Sequence, residues 1–274
     1  MGKDRYVINR SVCDLSSGGL YEGMDHEAHQ KVLLNRLDIE AGFEGERLVD
    51  LIKSIVQRGG HFSGEKVLPI LDGGEDEDGF FLVMGHFRGT PMLRAYPEAM
   101  SEGEFVNFAE QALEGLEEIH SKGYVHGAIT PESFLVRLVY GRDSKYTIAD
   151  SFLSELLPFI EQEAGESSLP VHPALVAPEM FSGGSPTSRS DIYMLGQTFY
   201  YLLLGAHPFV EMDMDEIKMR HEQHLMYSLQ EIDSTIPTWI SDMVDRMTSA
   251  SPDDRFQEVG EIVGFLQNAC GKKV

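Results

Sequence analysis

Two short stretches hold the residues whose types could do chemistry. YVHGAITPESFLV, Tyr124 to Val136, carries His126, Thr130, Glu132 and Ser133, and TIADSFLSEL, 147–156, carries Asp150. An aspartate at a strand end can ligate a divalent cation, or it can hydrogen-bond the backbone around it. A single carboxylate is a weak metal site, and a neutral hydroxyl such as that of Ser133 is a poor second ligand for a hard cation. A histidine-led loop that moved protons would want an acceptor close by. No carboxylate stands between Gly127 and Thr130, and Glu132 is expected to face away.

The elements that must position these residues fall into two kinds. Up to about residue 86 the chain reads as short β-rich pieces with one helix. KVLLNRL and GFFLVMGHF are compact apolar runs of strand length. DGGEDEDG, 72–79, reads as an acidic hairpin turn. GERLVDLIKSIVQRGG places Leu48, Leu51, Ile52 and Ile55 at helical spacing and closes on Gly59 and Gly60. Beyond residue 100 helices dominate. Ser101 and Glu104 form a capping-box pattern ahead of an apolar stripe from Phe105 to Ile119. SDIYMLGQTFYYLLLG is apolar nearly all round, which predicts a buried helix, capped by Ser190 and ended by Gly205. Two more helices are expected around 238–249 and 256–269. The fold class expected is α+β in two lobes, as one domain over 1–274, with an N-lobe to residue 86 and a C-lobe from 87.

Composition excludes several roles. The chain has 274 residues, 45 acidic against 22 basic, a net charge of −23. That balance argues against a nucleic-acid or anionic-membrane surface, which would need Lys and Arg. Cys13 and Cys270 lie near opposite ends and make neither a disulfide framework nor a zinc site. No apolar run reaches bilayer-spanning length. A cytoplasmic protein is expected, and the abrupt end NACGKKV fits a piece of a longer chain.

Read in order, five segments resemble the protein kinase family, most closely the bacterial Hanks-type Ser/Thr kinases. VHGAITPESFLV stands where such kinases carry a His-Arg-Asp loop, and TIADSFLSEL where they carry Asp-Phe-Gly. VAPEM, 176–180, matches Ala-Pro-Glu. SDIYMLGQTFYYLLLGAHPF matches the buried helix, and SPDDRFQ, 251–257, the segment with its conserved-type arginine. The small lobe aligns less tightly: residues 11–37 resemble a Gly-rich loop leading to a Val-Ala-Ile-Lys strand, and FFLVMGHF a strand and hinge.

The resemblance implies an address for each catalytic part. The base maps to Ala128, the second metal ligand to Ser133, the loop lysine to Thr130 and the phosphate-binding lysine to Asn35. Its carboxylate partner maps to Asp50. Among nucleotide-contacting positions, Gly18, Asp150, Met84 and His86 fall at family sites, and Asp150 alone keeps the type of a metal ligand. Two glycine positions read Cys13 and Leu15, and the neighbouring SSGG fits a turn. His172 stands near the position of a threonine before Ala-Pro-Glu. The architectural positions are kept: Asp191 for holding the loop backbone, and Glu179 with Arg255 for an ion pair.

Parts that hold the large lobe together persist while those that handle ATP are replaced. The expectation is a pseudokinase, not an enzyme. It would be a regulatory or scaffold module with no cofactor and at most weak ATP and Mg²⁺ binding. Its partner would be a protein, such as an active kinase or a component of a signalling or membrane complex. The alternative is an atypical phosphotransferase with Asp150 as metal ligand and a lysine such as Lys31 replacing Asn35. A third reading is a small-ligand site in the adenine cleft, against a cleft filled by its own side chains.

Overall fold

The computed structural model describes residues 5–15, 18–39, 45–139, 142–160 and 171–271. Ser16 and Ser17, half of the SSGG turn, lie outside them. Three strands open the chain: β1 (Tyr6–Leu15), β2 (Gly18–Asp25) and β3 (Gln30–Leu37). Helix α1 (Gly45–Gly59) follows, then β4 (Ile70–Asp76) and β5 (Gly79–Gly85). The strands form one antiparallel sheet in the order β1-β2-β3-β5-β4. The acidic stretch is mostly strand and turns only at its tip, where Asp76 pairs with Gly79.

Helix α1 buries Leu48, Ile52 and Ile55 against the sheet. The fit is close enough that a Cβ on Gly73 would sit 2.7 Å from Ile52 Cγ2. Asp50 is the exception to the expected layout. Its side chain is 76% exposed and pairs with Lys53 on the same helix, so it does not face the cleft. The apolar positions of α1 set its rotation, and Asp50 lies off that stripe.

The C-lobe is built on α3 (Glu102–Ser121) and α5 (Ser188–Leu204). The capping box of Ser101 and Glu104 starts α3. Phe105 and Phe108 of α3 meet Phe199 of α5 edge-on, with ring centroids 5.1 and 5.7 Å apart. Thr187, not Ser190, caps α5; Ser190 sits three residues in, as the reciprocal member of the capping box. Either hydroxyl satisfies the composition rule, and the extended backbone of Thr187 decides which is the cap. Gly205 ends the helix in the left-handed region. Helices α6 (Met214–Glu222), α7 (Leu229–Ile232), α8 (Thr238–Met247) and α9 (Val259–Ala269) complete the lobe. Two short helices and three short strands lie between the lobes and around the loops of interest: β6 (Thr90–Pro91), α2 (Met92–Ala95), β7 (Phe134–Arg137), β8 (Lys145–Ile148) and α4 (Leu153–Ile160). The result is a β-rich N-lobe against a helical C-lobe, the α+β arrangement expected. Among the described residues, no helix is long and apolar enough to cross a membrane.

Candidate functional site: a rebuilt cleft

The loop 126–133 is held from below by α5. Asp191, fully buried, accepts backbone N–H bonds from His126 at 2.9 Å and Gly127 at 2.7 Å, and it lies 2.8 Å from His120 Nε2. Hydrogen bonds to a carboxylate are stronger than neutral ones, so this one residue sets the loop's position. Gly127 has φ +74°, and a Cβ there would lie 2.6 Å from Ser154 Oγ and 3.0 Å from Pro186 Cβ. The Ser154 hydroxyl donates to His126 O at 2.8 Å. An arginine at position 127 therefore has neither the backbone conformation nor the room.

Above the loop, each oxygen of Asp150 has a protein partner. Its Oδ1 lies 3.1 Å from His126 Nε2, and its Oδ2 accepts from the Ser133 hydroxyl at 3.1 Å. Ala128 N donates to His126 Nδ1 at 3.3 Å, which places the ring proton on Nε2, toward Asp150. His126 and Ser133 are fully buried and Asp150 is 7% exposed. Thr130 is also buried, and its Oγ1 accepts from Glu132 N to cap the turn after it. Ala128 is fully buried as well, so the loop presents no proton acceptor at the family's address.

The roof is equally changed. Asn35 on β3 faces Asp150 across a cavity of only about 10 Å³, bounded also by Leu82 and Met84. That is at the lower limit for a single water. Met84 is 2% exposed and belongs to the main core, as does Leu15, which stands where a glycine would let phosphate approach. Cys13 packs against that core, and burial pushes its thiol up to about 11. Gly18 survives for a backbone reason. It has φ +130°, and a Cβ would fall 2.0 Å from Arg36 O.

Lys31 does not replace the missing lysine. It is 2.9 Å from Glu22 Oε1, and Arg10 holds the other oxygen at 2.6 Å. His86, at the hinge, lies 3.9 Å from Glu22 Oε1. Hydrogen bonds from Lys31 and then Arg10 hold the Glu22 carboxyl down at about 2 against an ordinary 4.5. A depressed carboxyl contributes stability above its unfolded pKa and loses it as pH falls toward its folded one. Acid titration followed by near-UV circular dichroism should show the Glu22 contribution fading between pH 4.5 and about 2, and Glu22→Gln should remove that part of the slope. The composition does not single out Glu22; only strand register brings it between Lys31 and Arg10.

A second feature invisible in the motifs ties α1 to the segment after Asp150. Arg58 forks onto Glu155 with both contacts at 2.7 Å and lies 4.7 Å over the Phe152 ring. Phe152 holds φ +74°, an uncommon backbone for an aromatic residue, and is 2% exposed. Its ring packs 5.4 Å from Tyr124 and 5.9 Å from Phe62. Glu179 and Arg255 lie in the helical lobe and form a fork at 2.9 and 2.8 Å. His172 accepts from Ala174 N and caps a turn.

The groups present do not fit Mg-ATP held in the usual way. The oxygens of Asp150 already have two buried partners, and Asn35 brings no charge. Asp150→Ala is expected to strand the buried His126 N–H and leave the Ser133 hydroxyl only its longer contact to Ala128 O at 3.4 Å. Each unsatisfied group costs about 1–3 kcal/mol, so a melting scan should fall by several degrees. A variant melting within a degree of the parent would contradict this structural role.

A family model described as the protein kinase domain matches residues 16–264. The chain belongs to the protein kinase family. Among curated relatives, the serine/threonine-protein kinase PrkC of Bacillus subtilis is 23% identical over 269 residues, covering 97% of this chain and 40% of that protein. A probable serine/threonine-protein kinase of Clostridium acetobutylicum is 23% identical over 274 residues, with 97% and 40% covered. The chain thus spans about 40% of the length of these relatives. The crystal structure of the Mycobacterium tuberculosis PknI kinase domain superposes with a TM-score of 0.72 at 18% identity, covering 98% of this chain and 97% of that one. These likenesses bear out the Hanks-type kinase fold. They overturn the expectation that the chain is no enzyme: the matching family is one of kinases, and its relatives over nearly the whole chain are named as serine/threonine-protein kinases.

Proposed function

We propose that this kinase-family domain works chiefly as a regulatory, partner-binding module. Nucleotide is held weakly, and phosphoryl transfer proceeds by positioning alone, without an aspartate base. The observation that carries this reading is the use of both Asp150 oxygens by His126 and Ser133. Three further features support it: the buried Leu15, the uncharged Asn35 and the small cavity that Asn35 and Asp150 line. The names of the relatives support protein serine or threonine as the acceptor for whatever transfer occurs.

The test is a melting-temperature series with ATP, alone and with Mg²⁺ or Mn²⁺, run beside a radiolabel-transfer assay on a generic basic protein. A ligand present at its own Kd stabilises by only about 0.4 kcal/mol, so millimolar ATP should shift melting by about 1 °C or less. A rise of several degrees at micromolar Mg-ATP, with transfer lost in Asp150→Ala, would reverse the reading and make Asp150 a metal ligand.

A further inference from the structure

On the outer face of the N-lobe sheet the usual alternation fails. In β3, Val32, Leu33 and Leu34 are consecutive, and in β5 every residue from Phe80 to Met84 is apolar. A sheet covered on one face alternates apolar with polar, and two-sided apolar strands belong where both faces are covered. Helix α1 and the cleft take the inner face. On the other, Val32, Leu34, Phe81 and Val83 form a separate cluster, covered within the described residues by Tyr6 and Tyr21. Beside Tyr6 that cover stops. A groove of about 770 Å³ opens there between the start of β1 and the β4–β5 hairpin.

The groove has unlike walls. Leu34 and Phe81 form its floor, and Val7 and Ile8, 42% and 41% exposed, form an apolar lip. Opposite stand the carboxylates of residues 75–78, all exposed. The two arginines at the groove are committed to carboxylates already. Arg36 forks onto Asp76 at 2.6 and 2.8 Å, and Arg5 is held by Asp25 and Asp72. Negative charge therefore dominates the wall, on a chain whose net charge of −23 draws cations from a distance.

We infer that this groove receives a short basic segment of a partner protein. An aliphatic side chain of that segment rests on Leu34, Phe81 and Ile8, and a flanking lysine or arginine meets the wall at 75–78. The inference builds on the reading of the domain as a partner-binding module and locates one partner on it.

The probe is a capped peptide alternating lysine and leucine. A lysine–serine peptide of equal length and charge is the control. Binding is followed by fluorescence anisotropy, and the site by amide shifts of the labelled domain. One half-buried leucine contributes roughly 1.4 kcal/mol, so the leucine peptide should bind about tenfold tighter than the control. Its shifts should gather on Val7, Ile8, Leu34 and residues 75–78. Ile8→Asp, at an exposed position that leaves the fold intact, should abolish the leucine advantage. Glu75→Gln with Glu77→Gln should weaken both peptides. Equal affinities, shifts scattered over the acidic surface, or an Ile8→Asp variant that keeps the advantage would each overturn the groove. Strong ATP-dependent phosphotransfer would remove the module reading and leave these groove results standing, so the two fail separately.

Discussion

Arg255→Ala is expected to be among the most damaging single substitutions in the C-lobe, lowering the melting temperature by roughly 5–9 °C. The Arg255 side chain is fully buried. It donates to both Glu179 oxygens and to the carbonyls of Arg189, Ser249 and Ala250. Its guanidinium also lies 4.6 Å over the Tyr193 ring. Truncation leaves Glu179 half-buried without its cation, with the Ser190 hydroxyl still donating to Oε1 at 2.8 Å. Breaking one side of such a pair typically costs about 3–5 kcal/mol, far more than the intact pair adds over an apolar replacement. The double variant Arg255→Met with Glu179→Leu should therefore recover part of the loss. The pH dependence gives an independent readout. Burial alone would raise the Glu179 carboxyl, but the hydrogen bonds and charge of Arg255 outweigh it and hold it below its ordinary 4.5. A depressed carboxyl stabilises above its unfolded pKa, so this contribution is whole above about pH 4.5 and is lost on acidification. In Arg255→Ala most of that acid-dependent part should disappear, the Ser190 hydrogen bond keeping a remainder. A variant melting within two degrees of the parent, with an unchanged acid limb, would show that the ion pair does not hold the segment.

Ala128→Asp should lower stability and fail to raise phosphotransfer. The position is fully buried, and its carbonyl and Asp150 both lie within reach of the Ser133 hydroxyl. A new carboxylate enters a buried site that already holds one. Burying a polar group without compensation costs roughly 2–4 kcal/mol, visible as a clear drop in melting temperature. A positioned general base contributes about 10²–10⁴ in rate, so a cleft lacking only its base would gain at least a hundredfold. The expectation here is less than tenfold, because Asn35, Ser133, Leu15 and the partnered Asp150 remain. A rate gain of a hundredfold from this single substitution would show that the rest of the cleft is still competent.

Much of this site could be read in one dimension, because its parts are local. His126, Ala128, Thr130, Ser133 and Asp150 fall in two short segments, and a missing charge is visible as a letter. The lobes were legible for the same reason: helix stripes and capping boxes are patterns of near neighbours. Long-range pairings were not. Asp50 had the right type and nearly the right spacing, yet the apolar rotation of α1 turned it to solvent. Lys31 looked free to replace Asn35 until register placed it against Glu22. Arg58 and Glu155 stand far apart in the chain and carry no motif, and only packing reveals their fork.

By itself, then, the sequence determined the kinase fold and the uncharged side chains at Asn35, Ala128, Thr130 and Ser133. Both follow from residue identity at fixed local spacing. Tertiary structure decided what the survivors do. Asp150 is an aspartate by sequence, and the fold alone brings His126 Nε2 and the Ser133 hydroxyl to 3.1 Å from its oxygens. Gly18 could have marked a phosphate loop, and the Arg36 carbonyl shows why no side chain fits there. A residue's type limits its chemistry, and its neighbours select which part of that chemistry is used.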